Sequence, residues 1–209
     1  MAINSYETFS KVIEEERLRK QLSFVLEIDK EKSIFRHTSL SDHGRKENDA
    51  EHAWHMAVMA YLLKEYSNEP IDIAKVMIMC LIHDVVEIDA GDTYAYDETA
   101  KLSQKSREDA AKERIYSLLP EDQRQELIDL FDEFEKNETP EAKFAKAMDN
   151  LQPLMLNYSN DGADWKEQGV CARQVYKRQE RAKGASDVLY NKVTDRLIRD
   201  QVNRGNIPE

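Results

Sequence analysis

Chain-breaking residues are scarce: the 209 residues contain six glycines and five prolines. No stretch alternates apolar and polar residues around a hairpin turn, which argues against sandwiches and barrels of many short strands. Only two cysteines occur, Cys80 and Cys171, and neither has a CxxC partner, so there is no zinc-ribbon or dithiol redox motif. No apolar run approaches the ~20 residues of a membrane span. The opening "MAINSYETFSKVIEEE" has neither the apolar stretch of a secretory signal nor an Arg-rich presequence. Positive charge is also short, with 30 Lys and Arg against 41 Asp and Glu and a formal net charge of −11. Such a surface disfavours a nucleic-acid polymer or an anionic membrane as partner. It leaves room for a small anion held by a few local arginines. These absences lead us to expect a cytoplasmic, all-α protein with one domain over 1–209.

What is present is helical periodicity. Helices are expected at about 5–30, 49–66, 71–86, 103–118, 121–136, 140–158, 163–182 and 186–203. Asn48 with Glu51 three residues later forms a capping-box pattern. Thr139 and Pro140 suit the cap and first position of the helix expected at 140–158. The stretch "EIDAGDTYAYDETAKL", 87–102, is the longest non-periodic loop and a candidate wall of a site. The tail "NRGNIPE" is expected to fray.

Two segments, "AWHMAVMAYLL" and "IAKVMIMCLI", are apolar nearly all round, as in buried helices. The short link "SNEP" makes them antiparallel neighbours. His52 to Tyr66 and Pro70 to Asp84 are both steps of 14 residues, each ~21 Å long as helix. His52 therefore comes beside His83 and Asp84. Imidazoles and a carboxylate converging in apolar surroundings are costly unless satisfied. A buried His–carboxylate hydrogen-bond pair would satisfy them, and so would a divalent metal. Nitrogen and oxygen ligands without thiolate suit Mn, Fe, Co, Ni or Zn, with Mg also possible.

At these residues the sequence resembles the HD-domain superfamily of metal-dependent phosphohydrolases. His52 matches its first histidine and His83-Asp84 its central pair, while "KFAKAMDNLQPLM", 143–155, matches the late helix with Asp149 as ligand. "RKENDAEH" and "HDVVEIDAGD" look like the small HD branch that includes the bacterial 5′-deoxynucleotidases. The resemblance covers about residues 20–160, leaving 161–209 as peripheral C-terminal helices. It implies an HD-domain helical bundle around a buried antiparallel helix hairpin. The implied centre is one divalent metal on His52, His83, Asp84 and Asp149. No histidine lies between 84 and 149, whereas dinuclear members of the superfamily add histidines there.

The resemblance also implies roles. Glu87 follows His83 by four residues and would share its face on a continuing helix, able to orient water or shuttle a proton. Asp92, after Gly91, resembles a catalytic or sugar-contacting carboxylate. Arg36 resembles an early phosphate-contacting arginine, although His37 stands where the nucleotidases carry a tryptophan. Arg45 matches a family arginine and is a second candidate for substrate. His55 is expected behind the ligands, Glu51 as a brace, and Trp54, Met56 and Met59 in the core. Pro153 removes the donor to the Asp149 carbonyl and would bend that helix. The charged helices 103–136 and 163–203 are expected as solvated or dimer-forming faces, the dimer resting on the resemblance alone. The implied activity is hydrolysis of a (deoxy)nucleoside 5′-monophosphate, a small phosphorylated substrate. The alternative is a nucleotide-binding HD sensor without turnover.

Overall fold

The computed structural model describes residues 5–97 and 99–209; position 98, in the loop expected over 87–102, lies outside them. In chain order the helices are α1 (Ser5–Ser10), α2 (Glu16–Glu27), α3 (Asp49–Leu63), α4 (Ile73–Ile82), α5 (Glu87–Ala90) and α6 (Lys101–Tyr116). They continue with α7 (Glu121–Lys136), α8 (Pro140–Ser159), α9 (Ala163–Glu167), α10 (Ala172–Gln179), α11 (Asp187–Leu189) and α12 (Asp195–Asn203). Among the described residues the fold is all-α apart from one small ribbon.

The starts follow the expected chemistry. Asn48 Oδ1 accepts from the Glu51 amide at 3.0 Å, and Glu51 Oε2 accepts from the Asn48 amide at 3.2 Å, closing the capping box of α3. Thr139 Oγ1 accepts from the Ala142 amide at 3.2 Å above Pro140. α3 and α4 form the expected antiparallel pair and α8 crosses both. Met56, Met79, Phe144 and Met148 interlock without exposure.

Several expectations give way. The helix expected over 5–30 is divided, and α2 restarts behind the acidic run Glu14–Glu16, where negative charge suits a helix N-terminus. Residues 35–48 form an antiparallel ribbon, β1 (Phe35–Ser39) with β2 (Lys46–Asn48). Its turn is closed by Leu40 and Arg45 at 2.9 Å, with His43 at φ 63. The helix expected over 71–86 ends at Ile82; tight turn bonds, including Glu87 N to Asp84 O at 2.8 Å, carry the chain into α5. The segment 163–182 breaks around Gly169, at φ 63.

The largest correction concerns residues 161–209. They are not peripheral: Trp165, Val175, Ile198 and Ile207 belong to the same core as Met56 and Met148. The tail does not fray. Ile207 is 2% exposed and the Pro208 carbonyl accepts from the Ala172 amide at 2.7 Å. Conversely, α3 is apolar all round but buried on one side only. Met56 and Met59 lie in the core, whereas Trp54 is 64% exposed, with Val58, Tyr61 and Leu62 beside it on the surface.

Candidate metal centre and substrate cavity

The hairpin brings the two histidines together, with ring centroids 5.5 Å apart. Asp149, from the middle of α8, faces both: its Oδ1 lies 3.4 Å from His52 Nε2 and 3.9 Å from His83 Nε2. One potential ligand atom from each of His52, His83 and Asp149 lies within 4.8 Å of the others.

Hydrogen bonds fix which ring nitrogens face inward. His83 Nδ1 is 2.9 Å from the Cys80 carbonyl, an acceptor only, so Nδ1 carries the proton. That leaves His83 Nε2 buried without a well-aligned hydrogen bond among the described residues, with Asp84 Oδ2 3.0 Å away as its nearest acidic neighbour. Gln152, three residues after Asp149, treats His52 in the same way. Its amide nitrogen donates to Glu47 Oε1 at 2.6 Å and reaches His55 Nδ1 at 3.1 Å, which turns Oε1 towards His52 Nδ1 at 2.9 Å. Two imidazoles thus aim Nε2 at one carboxylate, each braced behind as metal-binding histidines are. Burial and the Arg36 charge press the His52 pKa down, yet Asp149 and Glu47 push it up to about 9. The centre calls for a cation. A divalent ion on His52, His83 and Asp149 would satisfy that call and the inward-facing Nε2 atoms together, so the residues fit the group.

Asp84 sits at the edge of this cluster. Its Oδ2 is 3.0 Å from His83 Nε2 and accepts from Arg36 Nη1 at 2.7 Å. Burial opposes its ionisation, but His83 and Arg36 hold the carboxylate below its usual range. Arg36 also donates to Asp49 Oδ1 at 3.3 Å, and its Nε lies 4.0 Å from Glu47 Oε2. The guanidinium therefore sits among carboxylates, its side chain 10% exposed.

Above the centre opens a cavity of about 590 Å³, lined by Arg36, His83, Asp84, Glu87, Asp92 and Asp149 among others. Glu87 is buried although α4 does not continue to it, and its Oε2 has no hydrogen-bond partner among the described residues. Burial, reinforced by Asp84 and Asp49, raises its pKa well above the usual carboxylate range against the pull of Arg36. Gly91, at φ 73, makes the turn that swings Asp92 to the rim. There Asp92 Oδ2 lies 4.0 Å from His37 Nε2. His37 packs on Tyr94 at 4.5 Å between centroids, so an aromatic ledge stands beside the position where the resemblance led us to look for tryptophan.

Arg45 is a correction. It forms two bonds to Glu51, including Nη1 to Oε2 at 2.8 Å, and does not line the cavity. The turn before β2 carries it to the outer side of the capping box. His55 stands behind Gln152, away from the ligand cluster. Sequence reasoning missed Asp49, Gln152 and Arg178. Asp49 and Gln152 lie three residues from His52 and Asp149 respectively, a same-face spacing that was available. Arg178 belongs to a helix expected as a solvated face, yet it lines the cavity with Nη2 3.8 Å from Asp149 Oδ1.

A family model described as "HD domain" matches residues 28–188. The 5′-deoxynucleotidase HDDC2 of Homo sapiens is 34% identical over 111 residues, 53% of this chain and 53% of that protein. The 5′-deoxynucleotidase hdd1 of Schizosaccharomyces pombe is 29% identical over 114 residues, 53% of this chain and 56% of that protein. The chain thus spans about half the length of the curated relatives it matches. A crystal structure titled "Predicted metal-dependent phosphohydrolase" from Magnetospirillum magnetotacticum MS-1 superposes with a TM-score of 0.89 at 46% identity. That match covers 93% of this chain and 97% of the other.

Proposed function

The chain belongs to the HD domain family, and from that premise we propose that it hydrolyses a (deoxy)nucleoside 5′-monophosphate to nucleoside and phosphate. The observation that carries this reading is the pair of Nε2 atoms converging on Asp149 beneath a cavity that also holds Glu87. Relatives named 5′-deoxynucleotidases support the choice of substrate.

In this reading His52, His83, Asp84 and Asp149 hold one divalent ion, Mn, Fe, Co, Ni, Zn or Mg. The ion supplies Lewis acidity towards water and phosphate. Glu87, whose burial beside Asp84 and Asp49 raises its pKa above the usual carboxylate range, would orient the attacking water or shuttle its proton. Asp92 faces the sugar side and the leaving oxygen. Arg36 steadies Asp84 and offers its remaining N–H groups to phosphate. A carboxyl group buried at the cavity with one oxygen left without a hydrogen bond, like that of Glu87, is costly in a protein that only binds nucleotide, which favours turnover over a sensor role.

We assign the exposed stripe Trp54, Val58, Tyr61 and Leu62 on α3 to a homodimer face, because monomers rarely expose so contiguous an apolar patch. Sedimentation showing only monomer at micromolar concentration would remove that assignment. The setting in this reading is the cytoplasm, which cell fractionation tests. No helix among the described residues is long and apolar enough to cross a membrane.

The direct test is phosphate release from a panel of phosphomonoesters with Mn, Co, Mg and Zn. Preferential turnover of 5′-mononucleotides is expected. Nucleotide binding with no phosphate released under any metal would leave only a sensor.

A further inference from the structure

We propose that Arg178 is a second phosphate-binding arginine, meeting the substrate anion from the Asp149 side of the cavity while Arg36 stands on the Asp84 side. The inference rests on the hydrolase reading only in identifying the anion as substrate.

The two carboxylates at the centre each have an arginine, and the two arginines differ in what they have left to give. Arg36 commits Nη1 to Asp84 at 2.7 Å and Asp49 at 3.3 Å. Arg178 approaches Asp149 only to 3.8 Å, beyond hydrogen-bond distance. Its side chain is 23% exposed, more open than that of Arg36 at 10%. Asp92, Tyr94 and Tyr96 line the same cavity as Arg178 and Asp149. The guanidinium thus shares that wall with both the ligand cluster and the loop that carries Asp92.

Its support is rigid. Val175 is wholly buried in the core, and Gln179 Nε2 donates to the Asn150 carbonyl at 2.9 Å. The residues flanking Arg178 on α10 are therefore bolted to α8 next to Asp149. A guanidinium held this way presents a planar fork suited to two phosphoryl oxygens. Asp84, Glu87, Asp92 and Asp149 line the cavity alongside Lys105, Lys112, Lys146 and Lys177, and among the described residues on its wall only Arg36 and Arg178 carry a guanidinium fork, that of Arg36 already partly committed to carboxylates.

The test is calorimetric titration of inorganic phosphate into Mn-loaded protein, alongside Mn affinity and thermal melting. Arg178→Met should weaken phosphate binding roughly 10–100-fold, as for loss of a charge-assisted contact, with Mn affinity held within about threefold of the parent. Arg178→Lys should recover part of the loss and carries the test should the Met variant fail to fold. Unchanged phosphate affinity in the variants overturns the proposal, as does a parent that binds no phosphate. A fall in Mn affinity that accounts for the phosphate loss also overturns it, making Arg178 a brace for Asp149. The two readings fail separately. Loss of phosphate binding in the variant of a parent that hydrolyses nothing removes the hydrolase and keeps Arg178. Hydrolysis by a parent whose variants bind phosphate normally does the reverse.

Discussion

His52 Nδ1 lies 2.9 Å from Gln152 Oε1, and this contact decides which ring nitrogen His52 offers to the cluster. Gln152 cannot flip, because its amide nitrogen is held by Glu47 and His55. Replacing it by leucine keeps the volume and removes the acceptor. Gln152→Leu should weaken metal binding about 10–100-fold, the usual loss when a ligand's supporting bond is removed. It should also lower stability by about 1–3 kcal/mol for the polar groups left unpaired. Competition titration with a chelating dye measures the first effect. Parent-like affinity would mean that His52 is oriented by packing alone.

Glu87 separates metal binding from chemistry. It lines the cavity near Asp84 and Asp49 without belonging to the His52–His83–Asp149 cluster. Glu87→Gln keeps the shape and removes the proton carrier. Turnover should drop by ~10²–10⁴ while metal content stays at the parent level. Unchanged turnover would leave Glu87 as a buried structural acid.

Glu31 gives a pH dependence with a definite sign. It is buried in the 3₁₀ turn after α2, and burial together with Asp84 and Asp49 pushes its pKa up to about 8. The unfolded chain releases that proton near the ordinary glutamate value of about 4.3. Between these values the folded state holds more protons than the unfolded, so stability falls as pH rises from about 4.5 to 8. Glu31→Gln should remove this part of the slope. Melting in the presence of chelator should show little difference near pH 4 and a higher Tm for the variant at pH 8.5, by ~2–4 °C per kcal/mol recovered. Parallel melting curves for variant and parent across that range would mean that Glu31 titrates normally.

Sequence pattern revealed the parts of the site that obey helix periodicity. Equal arm lengths brought His52 to His83, and the Asn48–Glu51 cap fixed where α3 begins. Other features were hidden because their cause is tertiary. Glu87 reaches the cavity through a broken helix, not the continuing one that spacing suggested. The ribbon 35–48 is too short for an alternating signal, although Ser41-Asp42-His43-Gly44 carries turn residues. Arg45 matched by sequence, but the turn before β2 directs it outward to Glu51. Arg178 looked like surface charge because the sequence does not say which side of α10 the core takes. Val175 and Gln179 determine that only once α8 is in place.

The C-terminal tail links stability to the cavity wall. Gly205, at φ 69, reverses the chain after α12, and Ile207 enters the core at 2% exposure. The Pro208 carbonyl then accepts from Ala172, the first residue of α10, at 2.7 Å. The tail therefore holds the start of the helix whose far end carries Arg178. Ile207→Ala should cost about 2–5 kcal/mol as a core truncation, seen as a Tm fall of about 5–15 °C. Residual phosphate affinity, measured well below the new Tm, should also decrease, because α10 loses part of its anchor. A variant that melts like the parent would show that the tail is dispensable. One that melts lower but binds phosphate normally would show that α8 alone positions α10.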